Sequence, residues 1–302
     1  MQSENVFYLK AYLSEKQAIV ERALEAYFPE PEGPAFEVAR AMKYSLFAGG
    51  KRLRPILCMA GAEAVGGNET DVLPVACALE LIHTYSLIHD DLPVMDDDQL
   101  RRGKPTNHMV FGEAMAVLAG DGLLTEAFHL MTTSEILERM APHGILKVIG
   151  LISRAAGYRG MVGGQAVDIQ LEGKEADPSL VDFIHTHKTG ALIEASVTSG
   201  AILGGGDEKH LEAISSYGQK IGHAFQVSDD ILDIEGDSKA MGKTVGSDER
   251  KKKITYPAVF GLRRAKEIQS ELVDSAIESL EIFDYRAEPL REIARYIISR
   301  KQ

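Results

Sequence analysis

The chain has 302 residues, 45% of them hydrophobic, and carries 45 acidic against 33 basic side chains for a formal charge of −12. That size supports a substantial core in one large domain or two modest ones. The negative surplus argues against nucleic acid or an anionic membrane as the main partner, since both reward a basic surface. Cys58 and Cys77 are the only cysteines, at a spacing that matches no zinc or redox motif, so a reducing compartment is expected. The stretch from Met1 to Lys16 lacks the apolar core of a signal peptide, and no segment reaches the roughly 18 continuous apolar residues of a membrane span. A cytoplasmic protein without membrane insertion is the expectation.

Nearly every apolar segment has helical period and almost none alternates, which predicts an all-α chain. Taken in order, helices are expected over Asn5 to Ala26, Ala35 to Ser45, Pro55 to Ala64, Asp71 to Asp91, Gly112 to Ile136 and Gly144 to Ala156. Gly164 to Glu172, Pro178 to Ala201, Asp207 to Ile234, Tyr256 to Ile282 and Glu288 to Arg300 follow. Gly and Pro punctuate these segments, and the Gly-bearing, densely charged stretch from Glu235 to Lys253 reads as a loop. Val72 to Leu92 and Ile221 to Ile234 are apolar on almost every side, which places them centrally in a bundle. No repeat, low-complexity tract or Pro/Ser-rich linker divides the chain, so residues 1–302 are read as one domain.

Two clusters of aspartates interrupt those central helices: Asp90, Asp91, Asp96, Asp97 and Asp98 in the first, and Asp229, Asp230 and Asp233 in the second. Desolvating a carboxylate costs several kcal/mol unless a cation or hydrogen bonds compensate, so two such clusters imply shared cations. Hard oxygen donors without a Cys or His cage fit Mg²⁺, which takes one or two carboxylates and completes its shell with water and substrate phosphate. Asp229 and Asp233 lie one turn apart on a face that also carries Gln226. In the first cluster Pro93 should break the helix after Asp91, and spacing alone leaves Asp96 and Asp97 as equal partners for Asp90.

Phosphate also calls for cations from the protein. The run Gly49-Gly50-Lys51-Arg52-Leu53-Arg54-Pro55 joins a flexible pair to three basic residues ahead of a helix, able to wrap a diphosphate with Arg forks and backbone amides. Arg101, Arg102 and Lys104 follow the first acidic cluster directly, which suggests one site that binds phosphate through metal beside one that binds it directly. His83, one heptad before Asp90, should face the same cavity two turns deeper.

Together and in this order, these motifs closely resemble the trans-isoprenyl diphosphate synthases, most of all the bacterial farnesyl diphosphate synthases. The match also includes Gly163-Gly164-Gln165-Ala166-Val167-Asp168, His187-Lys188-Thr189-Gly190-Ala191-Leu192, Phe225-Gln226-Val227-Ser228-Asp229-Asp230-Ile231-Leu232-Asp233 and Gly242-Lys243-Thr244. The resemblance implies the isoprenoid synthase fold, helices surrounding a deep central cavity, in a homodimer that uses several Mg²⁺ ions per site. It implies that Gly50, Lys51, Arg54, His83 and Arg102 would bind the diphosphate of isopentenyl diphosphate. Arg101, Lys188, Thr189, Gln226, Lys243 and Lys253 would contact the allylic diphosphate. Asp90 and Asp96 would ligate metal with Asp91 in support, opposite Asp229 and Asp233. Catalysis would fall to Asp90, Asp91, Asp96, Arg101, Lys188, Asp229 and Lys243. Gln99 departs from the family pattern, in which another Asp often extends the first run.

The implied reaction is head-to-tail prenyl transfer by ionisation, condensation and elimination. An allylic diphosphate ionises, the cation alkylates isopentenyl diphosphate, and proton loss, with the departing pyrophosphate as base, completes the product. Charge building on the leaving oxygens must be stabilised and water excluded. The loop Glu235 to Lys253 and the basic tail Arg291 to Lys301 are candidate lids. Tyr85, about 7.5 Å before Asp90 along a helix, and Ser86 one turn before it are candidates for the floor that sets product length. In the family an aromatic at Tyr85 resembles synthases that stop at fifteen carbons. A geranylgeranyl or geranyl diphosphate synthase would differ only in floor depth. A terpene cyclase would not need Lys51, Arg54 and His83, and a silent partner subunit usually loses acidic residues that are intact here. A phosphohydrolase is disfavoured by the central apolar helices and the lack of a nucleophile motif.

Overall fold

A computed structural model describes residues 7–28, 32–173, 178–235 and 254–299. The chain runs through α1 (Leu9–Tyr27), α2 (Phe36–Leu46), α3 (Leu53–Ala64) and α4 (Leu73–Asp90), then a minimal hairpin of β1 (Leu100–Arg101) and β2 (Lys104–Pro105). It continues with α5 (Asn107–Phe111), α6 (Glu113–Leu130), α7 (Ser134–Arg139), α8 (Pro142–Ala156), α9 (Met161–Leu171) and α10 (Pro178–Ile184). A π-helical turn (His185–Gly190) leads without a break into α11 (Ala191–Leu203), followed by α12 (Glu208–Glu235). The last elements are α13 (Tyr256–Phe260), α14 (Leu262–Glu278), a 3₁₀ turn (Tyr285–Ala287) and α15 (Glu288–Ser299).

The all-helical expectation holds, and the two helices read as central are central. On α4 the side chains from Pro74 to Ile82 are buried in succession, and on α12 no residue from Ile221 to Asp233 is exposed, so neither stretch has a solvent face. α11 is buried from Ala195 to Ala201 and joins two parts of the core. One part gathers around α4, α6 and α8, and the other around α3, α12, α14 and α15. The first acidic cluster therefore begins at the end of one core helix, and the second lies on another.

Three expected helices depart from a regular α-helix. The segment Gly112 to Ile136 ends its first helix at Leu130 and resumes as α7, and Tyr256 to Ile282 is divided at Gly261, whose φ of +79° no regular helix contains. Pro178 to Ala201 is continuous but carries the π turn. There Thr186 Oγ1 donates to the Asp182 carbonyl at 2.7 Å and His187 Nδ1 lies 2.8 Å from the Phe183 carbonyl. Both side chains occupy carbonyls one turn back, the acceptors that a regular α turn reserves for backbone N–H groups. The hairpin was not anticipated either. Its two turn residues, Arg102 and Gly103, have φ of 53° and 75°, both left-handed, as a tight two-residue hairpin turn of the I′ class needs.

The basic tail is not a free lid. Arg291 donates to the carbonyls of Leu280 and Phe283, Arg295 pairs with Glu288 and Glu292, and α15 buries Leu290, Ile293 and Ile297 against the core. An amphipathic helix docked by such a stripe is a wall of the bundle. The other candidate lid, 236–253, and the residues Lys243 and Lys253 lie outside the described residues, as does 300–302.

Candidate active site

The first acidic wall hangs from the end of α4. Pro93 stops the helix as expected, and the chain folds back so that the Asp96 N–H donates to the Asp90 carbonyl at 2.8 Å. This return brings Asp96 to the helix end beside Asp90, and both are half-buried. Asp97 is exposed and left-handed, with φ of 52°. Asp91 behaves differently from its neighbours. It is 3% exposed and receives Arg101 Nε on both carboxylate oxygens at 2.8 and 2.9 Å, with Arg101 Nη2 at 2.6 Å from Oδ1. A carboxylate saturated by a guanidinium fork has little capacity left for metal, so Asp91 supports this wall by fixing Arg101.

Beside that wall lies the basic loop, and its three cations divide their work. Arg52, at the start of α3 with φ of 51°, is 2% exposed and fully engaged: Nε with Glu21 at 2.7 Å, Nη1 with Glu80 at 2.7 Å and Nη2 with the Leu46 carbonyl at 2.7 Å. It is the internal clamp of the loop. Lys51 is exposed, and Arg54 Nε is buried without a hydrogen-bond partner. Burial pushes the Arg54 guanidinium down to about 10, against the pull of Glu80 and Asp229. A half-buried cation whose Nε is buried without a partner is a prepared seat for an anion.

Arg102 completes the cradle from the hairpin turn. Its Nη1 donates to the Gly49 carbonyl, and a side chain at Gly50, whose φ is +140°, would meet the Arg102 guanidinium at 2.6 Å. Gly50 thus contributes closeness of approach as well as its backbone, whose carbonyl takes Gln17 Nε2 at 2.9 Å. His83 joins them. Burial, together with Arg54 and Arg102, holds its imidazole well below the usual range, so it is neutral at pH 7.

Lys51, Arg54, His83 and Arg102 line one cavity of about 1090 Å³, and Asp229 of the second wall faces the same space. Its lower flank is apolar, from Leu9, Leu13, Phe225, Ile293 and Ile297. The second wall is α12 itself, started by Asp207, whose side chain accepts the His210 N–H at 2.9 Å. Asp229 is half-buried, while Asp230 and Asp233 are 4% and 8% exposed. The π turn presents Lys188 and Thr189 alongside: Lys188 Nζ pairs with Asp168 Oδ2 at 2.7 Å, and Thr189 Oγ1 donates to Gln226 Oε1 at 2.8 Å. Among the described residues no three His, Cys, Asp or Glu side chains converge into a metal cage.

Tyr85 and Ser86, the candidates for the chain-length floor, do not line this cavity. Tyr85 is 6% exposed within the core, edge-on to His89 with ring centroids 5.7 Å apart, and Ser86 Oγ donates to the His83 carbonyl at 2.9 Å. Burial and the nearby Asp90 push the Tyr85 hydroxyl up to about 12, so it stays protonated. Sequence reasoning missed Glu80, His185 and Tyr256. Of these only Glu80 carried a signal, as a lone acid inside an apolar helix.

The polyprenyl synthetase family model matches residues 36–286. The chain belongs to the polyprenyl synthetase family. It is 48% identical over 292 residues to the farnesyl diphosphate synthase of Geobacillus stearothermophilus, covering 97% of this chain and 98% of that one. It is 47% identical over 296 residues to the geranylgeranyl diphosphate synthase of Cyanophora paradoxa, covering 97% of each. The crystal structure of geranylgeranyl pyrophosphate synthetase from Pyrococcus horikoshii superposes with a TM-score of 0.86 at 34% identity, covering 97% of this chain and 98% of that one. The chain is thus a trans-prenyl diphosphate synthase, a prenyltransferase of isoprenoid biosynthesis with the isoprenoid synthase fold.

Proposed function

We propose that the chain condenses dimethylallyl or geranyl diphosphate with isopentenyl diphosphate, in the presence of Mg²⁺, to give farnesyl diphosphate. The observation that carries this reading is the shared cavity, in which an under-partnered Arg54, neutral His83 and Arg102 face Asp229. A basic seat and an acidic wall in one space suit two diphosphates, one held by the protein's cations and one through metal. The donor set fits the metal: Asp90, Asp96, Asp229 and Asp233 offer only hard oxygens, and sites that share Mg²⁺ with phosphate have no need of a three-residue cage. Bound Mg²⁺ would neutralise charge on the leaving diphosphate.

The residues then have separable tasks. Arg54, Lys51 and Arg102 hold the isopentenyl diphosphate and His83 donates one N–H to it. Arg101, clamped by Asp91, and Lys188, clamped by Asp168, present fixed positive charge to the allylic diphosphate. Its C–O bond breaks with both electrons passing to the diphosphate oxygen. The allylic carbon then takes the electron pair of the isopentenyl double bond, and pyrophosphate accepts the proton that leaves. Thr189 has given its hydrogen to Gln226, so the lone pairs of its oxygen remain for the cation. Lys243 and Lys253 are proposed as further contacts to the allylic diphosphate.

Relatives at 48% and 47% identity carry farnesyl and geranylgeranyl names, so family likeness does not choose the product. The buried Tyr85, one and a half turns before the first acidic wall, supports fifteen carbons. Incubating the protein with isopentenyl diphosphate, each allylic starter and Mg²⁺ should give mainly the fifteen-carbon product by chromatography, and Tyr85→Ala should lengthen it. Unchanged products from Tyr85→Ala would remove it as the floor, and a twenty-carbon product from the unaltered chain would overturn the farnesyl reading. We further propose a homodimer through α5 and α6, which expose Met109, Val110, Val117 and Leu118 by 52%, 46%, 40% and 53%. A monomer mass in sedimentation would contradict it. No helix among the described residues is long and apolar enough to cross a membrane. The cytoplasm is the proposed compartment.

A further inference from the structure

The second acidic wall is braced from behind by groups that the reaction does not consume. Asp230 and His185 are 4% and 3% exposed, and His185 Nε2 lies 3.2 Å from Asp230 Oδ2. The same oxygen accepts the Tyr256 backbone N–H at 2.9 Å, and Asp230 Oδ1 accepts Gln226 Nε2 at 3.3 Å. His185 Nδ1 is buried without a hydrogen-bond partner, so the ring proton belongs on Nε2, where it donates to the carboxylate. The Tyr256 ring stacks on His185 with centroids 4.9 Å apart and planes at 25°, and its hydroxyl is held by Asp182 and His223.

This arrangement decides which way a nearby amide points. An amide side chain is nearly symmetric in shape, so its hydrogen-bond partners choose between oxygen and nitrogen. A carboxylate can only accept, so Asp230 takes the NH₂ end of Gln226. The carbonyl oxygen is thereby turned to Thr189 Oγ1, 2.8 Å away. The two groups present the negative ends of their dipoles where an allylic cation would form. A reversed amide would present two N–H donors and oppose the developing charge.

We propose that Asp230, locked by His185 and the Tyr256 backbone, is a positioning residue that fixes the Gln226 amide with its carbonyl toward Thr189 and the allylic cation. The proposal rests on the prenyl-transfer reading above. His185→Phe keeps the ring stacked on Tyr256 and removes the donor, whereas His185→Gln sets an amide N–H about where Nε2 stands and loses the stack. With geranyl diphosphate, isopentenyl diphosphate and Mg²⁺, His185→Phe should lower kcat by roughly 10-fold or more, below the 10²–10³ of a direct oxyanion donor. The KM for isopentenyl diphosphate should not change, and His185→Gln should recover most of the rate.

Equal kcat in His185→Phe and the unaltered chain overturns the proposal, as does a loss in both variants that follows their Tm. If His185→Phe does not fold, Asp230→Asn serves instead, since it preserves shape but sets an NH₂ group against existing donors. The same loss in kcat at constant KM is expected, and its absence overturns the assignment. If the unaltered chain transfers no prenyl group with Mg²⁺, the reading of function falls. The orientation is then read directly from hydrogen exchange of the Gln226 side-chain NH₂ by nuclear magnetic resonance. Protection present in the unaltered chain and lost in the variant supports the lock; protection that persists refutes it.

Discussion

The two acidic walls solve one problem by different means. On α4 the acids hang from a helix that Pro93 stops, and a folded-back loop with left-handed Asp97 brings Asp96 to Asp90. On α12 they ride inside an unbroken helix, where Asp230 is braced by the His185 ring, the Tyr256 backbone N–H and Gln226 of the same helix. In both walls the second aspartate is withdrawn, Asp91 at 3% exposure and Asp230 at 4%, and spends its charge on internal partners. Asp91 has a guanidinium fork from Arg101, and Asp230 has the His185 ring and the Tyr256 backbone N–H. The lesson is that a run of like residues need not share one role. Asp91 and Asp230 set the geometry of a neighbouring cation or dipole, whereas Asp90, Asp96, Asp229 and Asp233 are the acids proposed for metal.

The strongest way to break this comparison is to remove an open acid from each wall. Asp90→Ala and Asp229→Ala should each lower turnover by roughly 10²–10³-fold or more, the range for lost electrostatic stabilisation of a leaving group, with little change in the KM for isopentenyl diphosphate. Steady-state kinetics with Mg²⁺ check this, and normal turnover in either variant would withdraw that acid as a ligand. Arg101→Lys sharpens the contrast at the first wall. A lysine keeps the charge but cannot form the fork with Asp91, so a loss of roughly 10-fold in kcat is expected, within the spread typical of losing one charge-assisted hydrogen bond.

The smallest effect concerns His83, between the walls. Folding holds its pKa below the ordinary 6.5, so the unfolded chain takes up the proton first. The stability linked to His83 is present above pH 6.5 and is lost as the pH falls below that value. Thermal unfolding should therefore show a steeper fall in Tm from pH 7 to pH 5 for the unaltered chain than for His83→Gln. Equal slopes would place the imidazole in a solvated setting.

Much of this site was legible in the sequence because its chemistry conflicts with its surroundings. Carboxylates inside apolar helices, and a Gly pair ahead of Lys51 and Arg54, are conspicuous against helical period alone. The choice of Asp96 over Asp97 was not legible by spacing, since it depends on how the loop after Pro93 returns to the Asp90 carbonyl. The π turn was hidden because Thr186 and His187 leave the apolar pattern intact while redirecting two carbonyls. Arg52 looked like its basic neighbours, and only packing reveals that Glu21 and Glu80 neutralise it inside the protein. The bracing of Asp230 joins residues 45 and 26 positions away in the chain, His185 and Tyr256, which no local pattern connects.

The most direct test of the opposed walls is release of pyrophosphate by the purified chain with geranyl and isopentenyl diphosphates as Mg²⁺ is titrated in. The account predicts release that requires Mg²⁺, is coupled one-to-one to formation of the elongated product, and is lost in Asp229→Ala at every Mg²⁺ concentration. Release that proceeds in chelator, or at an undiminished rate in Asp229→Ala, would contradict it.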